Sequence, residues 1–290
     1  MFGGKPMKRN VMFLVCAVCV ALCLDSCTIL EERSGCPCYL TIDFTKVDKG
    51  IREWQLWLFD KDGEVMFKDT IYRRSYSSPY VVQVPRNRQL QCFMWGNVRG
   101  ATILDEAYSP STLLLKKEGI PADSLFHYAE TVDTWREDGF MKVIPRKEFA
   151  TVDIYIYGWA DIDFVAEMEL VCDSRGFYVG GDFYPDEVSV QMQLSGIDDY
   201  YTHFSGRMLR QPDTENVRLY LRLMKKEIDG TVGEELVNRD IPLGKFLEDN
   251  GYDMQSAQLQ DIRMELDYSY SNLIIRTDDW EASYRLEEEI

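Results

Sequence analysis

Along much of this chain, apolar residues return at every second position in short stretches bounded by turn residues, and this period of two limits what it can fold into. Leu40, Ile42 and Phe44 alternate with Thr41, Asp43 and Thr45. Trp54, Leu56 and Leu58 repeat the pattern up to Asp60-Lys61-Asp62-Gly63, and Val65-Met66-Phe67 follows as the return arm of a hairpin. Val82 and Val84 end at Pro85, and Leu90, Cys92 and Met94 lead to Gly96-Asn97. In Phe149–Tyr157, Val152, Ile154 and Ile156 face one way and Asp153, Tyr155 and Tyr157 the other. Further strands are expected at Val188–Leu194, Val217–Leu223, Ile262–Leu266 and Leu273–Ile275. One segment has the punctuation of a helix: Pro242 stands near its start, Leu243, Phe246 and Leu247 share a face, and Asn250-Gly251 closes it. Many short, half-buried strands with almost no helix imply an all-β chain built from β-sandwiches.

Two regions depart from this regularity. Residues 101–139 are polar, contain Pro110 and Pro121 and show little alternation, so they read as the long connection of a first sandwich, with Ser111–Lys117 as a short helix or loop segment. In the strand around Trp54, the opposite face carries Trp57 and Phe59. Both faces are then apolar, and the second must be covered by a loop of the other sheet or by a partner.

The N-terminus speaks to destination. Lys8 and Arg9 precede the apolar run Val11–Leu24, which is followed by Leu24-Asp25-Ser26-Cys27. This reads as a bacterial lipoprotein signal cleaved before Cys27, whose thiol then carries the lipid. The apolar run would span only about 21 Å as a helix, short of the ~30 Å hydrocarbon core. Translation could begin at Met1 or at Met7, since Met7-Lys8-Arg9 is a conventional signal start. The expected divisions are a signal peptide over 1–26, a lipidated tether over 27–36, an N-terminal sandwich over 37–145 and a C-terminal sandwich over 146–290, with the boundary near Pro145-Arg146. Removal of the signal leaves 264 residues. The whole chain has a formal net charge of −17, and losing Lys5, Lys8, Arg9 and Asp25 makes it −19. Such a surface repels phosphate backbones, which excludes nucleic acid as a partner.

Four cysteines remain beside Cys27: Cys36, Cys38, Cys92 and Cys172. They permit two disulfides in three connectivities. A bond from Cys36 or Cys38 to Cys92 would tie the first strand to a later one, and buried free thiols are the plain alternative. Cys36-Pro37-Cys38 has the wrong spacing for a redox pair or a zinc knuckle. His127 and His203 stand alone, without a second ligand at metal spacing. Asp161/Asp163, Asp198-Asp199 and Asp278-Asp279 lack a surrounding calcium loop. No phosphate loop, nucleophile elbow or zinc-protease motif is present. No cofactor, metal or catalytic activity is expected.

The element Arg33-Ser34-Gly35-Cys36-Pro37-Cys38-Tyr39-Leu40-Thr41-Ile42-Asp43-Phe44 resembles the opening of FimB-like fimbrial anchor subunits of Bacteroidales type V pili. In that family an acidic tether leads from the lipidated cysteine into an Arg-x-x-Cys-Pro element that opens the first strand. Trp54-Gln55-Leu56-Trp57-Leu58-Phe59-Asp60, Phe93-Met94-Trp95-Gly96-Asn97 and a final strand closing on Trp280 continue the likeness. The resemblance implies two tandem transthyretin-like β-sandwich domains. It also implies a surface-exposed outer-membrane lipoprotein that anchors a pilus, limits its length and binds shaft subunits by strand addition. A surface glycan-binding lipoprotein of similar architecture, using exposed aromatics, is the competing expectation.

Overall fold

The structure, a computed structural model, describes residues 36–104, 106, 108–157, 164–198, 200–267, 272–276 and 281–285. Cys27, Trp159, Asp161, Asp163, Asp199, Asp278, Asp279 and Trp280 lie outside them. Four sheets organise the described residues. The first, in the order β4-β1-β9, comprises β1 (Pro37–Asp43), β4 (Tyr80–Pro85) and β9 (Asp138–Lys142). The second, in the order β10-β8-β5-β2-β3, holds β2 (Glu53–Phe59), β3 (Val65–Tyr72), β5 (Gln89–Gly96), β8 (Phe126–Asp133) and β10 (Arg146–Lys147). These two enclose a core that includes Leu40, Ile42, Trp54, Leu56, Leu90 and Met94.

The other two sheets form the C-terminal sandwich. One runs β14-β15-β11-β18-β19-β20, from β11 (Phe149–Tyr157), β14 (Gln193–Ile197), β15 (Tyr201–Leu209), β18 (Ile262–Asp267), β19 (Asn272–Arg276) and β20 (Glu281–Arg285). The other runs β17-β16-β12-β7-β6, from β6 (Thr102–Leu104), β7 (Leu113–Lys116), β12 (Phe164–Tyr178), β16 (Arg218–Lys226) and β17 (Val232–Ile241), with β13 (Phe183–Gln191) on the far edge of β12. Val152, Ile154, Leu170, Leu219, Leu221 and Met264 are among the buried residues between them. The chain is thus all-β, with the expected helix, α1 (Leu243–Asp249), laid on the second core by Leu243 and Leu247. Asn250 Nδ2 donates to Phe246 O at 2.7 Å at its end, and Gly251 follows with φ +71°.

The two halves repeat one arrangement. The opening strand of each sits inside its sheet, with an antiparallel neighbour on one side and a parallel neighbour on the other. For β1 these are β4 and β9; for β11 they are β15 and β18.

Ser111–Lys117 is neither helix nor loop. Leu113–Lys116 is strand β7, which pairs with β6 and with the end of β12, so a hairpin from residues 102–116 extends the C-terminal sheet. Leu114 and Lys116 take its two buried positions, and a lysine facing inward beside three consecutive leucines hides the strand from periodicity. This hairpin also covers Trp57 and Phe59. With Trp95, Leu114, Phe177 and Leu209 they belong to a third core that joins the halves. The second face of β2 is therefore closed by the chain's own residues and not by a partner. Trp95 Nε1 donates to Val179 O at 2.9 Å, and its ring lies 5.0 Å from that of Phe177 and 4.4 Å from that of His127.

Gly176 is where β12 meets β7, and a Cβ there would stand 2.1 Å from Leu114 O, a backbone atom of the neighbouring strand. Gly176→Ala is expected to push β7 away from β12 and to lower stability by about 1–3 kcal/mol in urea unfolding. An unchanged midpoint would mean that the hairpin does not pack as closely as described.

Candidate functional site

The first strand is the element that a tethered chain would use. Cys36 is exposed and Pro37 opens β1, so everything N-terminal to residue 36 enters the fold through this strand. Cys38, Leu40 and Ile42 point into the first core and are fully buried. β1 pairs with β4 from Pro37 to Ile42 and with β9 from Tyr39 to Asp43. Tyr39 N donates to Glu137 O at 2.7 Å, and Val143 N donates to Asp43 O at 3.0 Å. At its far end the Asp43 carboxylate accepts from Thr45 N (2.8 Å) and Thr45 Oγ1 (3.0 Å), and the backbone hydrogen bond leads in holding its carboxyl below the usual range. Gly139 of β9 passes over the strand; a Cβ there would lie 3.1 Å from Leu40 Cδ1.

This placement has a mechanical consequence. A pull on residue 36 acts along the strand axis. A pull so directed would load both hydrogen-bonded ladders in shear, so that they yield together, whereas a strand peeled from an edge releases one bond at a time. The slot between β4 and β9 is occupied by the chain itself.

The predicted cysteines are distributed around this strand. Cys38 and Cys92 lie in the same core, Cys172 lies in the second core, and all four described cysteines carry free thiols. Burial, with Asp138 nearby, pushes the Cys38 thiol up; burial pushes Cys92 up strongly and Cys172 up to about 12. Protonated thiols in apolar surroundings are poor nucleophiles.

Strand β14 presents an uncharged sheet edge with exposed Leu194 and Ile197, whereas β17 at another edge carries Glu234, Glu235, Arg239 and Asp240. An open uncharged edge is a template for a further strand. On the outer face of the C-terminal sheet, Tyr155 is sandwiched between the His203 ring at 4.3 Å and the Arg263 guanidinium at 4.3 Å, and Asp153 Oδ1 lies 2.9 Å from His203 Nε2. Both ring faces are used within the protein, which leaves none for a sugar to stack on. A shallow groove of about 370 Å³ lies over Glu167, Glu169, Tyr220 and Asn238, and its Arg222 already pairs with Glu235 at 2.7 Å and Glu167 at 3.5 Å. Among the described residues no group of three or more His, Cys, Asp or Glu is placed to hold a metal ion, and no helix is long and apolar enough to cross a membrane.

Sequence reasoning missed the largest buried polar group. Arg210 and Glu148 are both fully buried side chains, and Arg210 Nε donates to Glu148 Oε2 at 2.7 Å. Nothing in the periodicity distinguishes these two from surface charges.

No family model matches the sequence, and no curated protein matches it. Solved structures share the fold. A candidate polysaccharide-binding protein from Bacteroides thetaiotaomicron superposes with a TM-score of 0.62 at 16% identity, over 87% of this chain and 99% of that one. The fimbrial anchor protein Mfa2 from Porphyromonas gingivalis gives 0.60 at 13% identity, over 86% and 100%. A candidate adhesin from Bacteroides ovatus gives 0.60 at 9% identity, over 88% and 97%.

Proposed function

We propose that this chain is a non-enzymatic outer-membrane lipoprotein that anchors a fimbria to the cell surface and limits its length. The observation that carries the reading is the position of β1. A lipid on Cys27 would pass load through nine residues into a strand held by two ladders, and the filled slot between β4 and β9 refuses an incoming strand, so growth stops there. Shaft subunits would then add at an outer sheet edge. The fold shared with a fimbrial anchor protein supports the same reading.

The glycan-binding alternative loses the aromatics that alternation placed on an outward face, and keeps only scattered exposed ones such as Tyr108, Trp135 and Tyr200. Trp54, Trp57, Phe59 and Trp95 are buried in cores, and Tyr155 is enclosed on both faces.

The test is the mature protein in its host. Mass spectrometry of the membrane fraction is expected to find an N-terminus at acylated Cys27, with shaft subunits co-purifying. In the Cys27→Ala variant the chain is expected to leave the membrane or stay unprocessed, with fimbriae shed into the medium. An unmodified N-terminus elsewhere, with the variant behaving as wild type, would remove the anchoring mechanism.

A further inference from the structure

The outer face of the β4-β1-β9 sheet is apolar at its centre. Cross-strand pairing places Val81 of β4 and Phe140 of β9 on either side of Thr41, with Tyr39 of β1 beside them. Phe140 is 65% exposed and Ile144, just beyond β9, 67%. Trp135, in the connection from β8 to β9, is 59% exposed; its carbonyl accepts from Arg86 Nε at 3.4 Å, and Glu137 two residues on receives the Tyr39 N–H, so Trp135 stands where the chain enters β1. Among the described residues no other element covers this face, and its inner side packs on the core.

We infer that this face lies against the lipid bilayer surface. The inference rests on the lipidation of Cys27 proposed above. Eight residues separate Cys27 from Cys36, and the nine Cα steps reach at most about 32 Å fully extended; that tether enters the fold beside Trp135 and Tyr39. The face nearest the attachment point is thus the one that carries exposed aromatics, and tryptophan and tyrosine favour the membrane–water boundary. Charge agrees. On a mature chain of net charge −19, the strands of this sheet and their ends balance Asp43, Glu137 and Asp138 against Arg86, Arg136 and Lys142, so this part of the surface does not share the repulsion that the rest would feel from anionic lipid. A sheet face suits such contact, because the backbone groups of its central strand are paired on both sides and side chains can enter the headgroup layer. Docking would fix the direction in which the rest of the molecule points away from the cell.

Trp135 is the probe, since the other described tryptophans, Trp54, Trp57 and Trp95, are buried in cores. Full-length acylated protein from its host is reconstituted into vesicles of phosphatidylethanolamine and phosphatidylglycerol, with and without bromine on the acyl chains near the headgroups. Flotation on a density gradient reads membrane attachment; tryptophan emission of wild type minus Trp135→Phe reads the environment of this face. The expected result is flotation, with the Trp135 part of the emission quenched several-fold by brominated lipid. Flotation without quenching overturns the docking and leaves the lipid anchor standing. Failure to float overturns the anchor and the docking together. A Trp135 emission that shifts with protein density in unbrominated vesicles, without bromine quenching, assigns the face to a second copy of the chain and overturns the proposal. Trp135→Phe is an exposed aromatic exchange, and an unchanged thermal midpoint verifies that it folds.

Discussion

Replacement of Arg210 by methionine is expected to cost about 3–5 kcal/mol of stability, because it strands a buried carboxylate. Arg210 donates to Glu148 Oε2, to Met254 O, to Lys147 O at 2.5 Å and to Ser256 O at 2.7 Å. One guanidinium therefore ties the segment between the halves to the 254–256 loop and to the end of β15. Glu148 keeps Arg146 as a second partner, on its Oε1, which is why the loss should fall short of that for a wholly unpaired charge. Its own backbone joins the same knot: Arg210 N donates to Glu148 O at 2.9 Å and Glu148 N to Leu125 O at 3.0 Å. Changing both partners, in Arg210→Met with Glu148→Gln, should recover part of the loss, since no buried charge then remains without its counter-ion. Urea unfolding of wild type and the two variants decides the matter. A single-variant loss under about 1 kcal/mol would place this pair in water rather than in the interior.

The second large effect is on acid stability, through His127. Its ring is buried against Trp95, its Nε2 has no hydrogen-bond partner among the described residues, and a Cβ on Gly181 would meet Cε1 at 2.5 Å. Burial, with Arg146 adding repulsion, pulls the imidazole down to about 3 from its ordinary 6.5. The folded state therefore refuses a proton that the unfolded chain accepts below pH 6.5. Stability from this group is complete above pH 6.5 and is lost progressively as pH falls toward 3. Between pH 7 and pH 4 the loss is about 3 kcal/mol. Measured against His127→Phe, which cannot titrate, wild type should lose ground by that amount over this range. A constant difference between the two from pH 7 to pH 4 would show that the ring is hydrated.

Much of the fold was legible in the sequence where alternation is clean. β1, β2, β5 and β11 carry unbroken apolar positions at every second residue, and α1 has a proline at its start and a glycine after its end. The 15-residue β12 and the 9-residue β15 were harder to read. In β12 the apolar run gives way to Ser174, Arg175 and Gly176, where the pairing with β13 shifts register; in β15 Gly206 holds an inward position. That both faces of β2 are covered could be read from Trp57 and Phe59, but not by what. The cover comes from Leu114, Ala122, Phe177 and Leu209, which are remote in sequence and meet only when the halves pack. The Arg210–Glu148 pair was invisible for a related reason, since charged residues look solvated until a fold surrounds them. The role of β1 was partly legible. Its sequence marks a first strand after a tether, while its central place in a sheet depends on β4 and β9, some 40 and 100 residues away.

The third core also bears on inheritance. Its side chains come from β2, β5, β7, β12 and β15, so each half contributes a surface that is apolar only because the other half is there. A recombination event that carried one half into another gene would expose Trp57, Phe59 and Trp95, or Leu114 and Phe177, to water, and its product would be prone to aggregate. The two halves repeat one arrangement of strands, yet they are not interchangeable parts. Diversification in such a lineage should proceed by sequence change at exposed edges and loops, with the pair handed down as one unit.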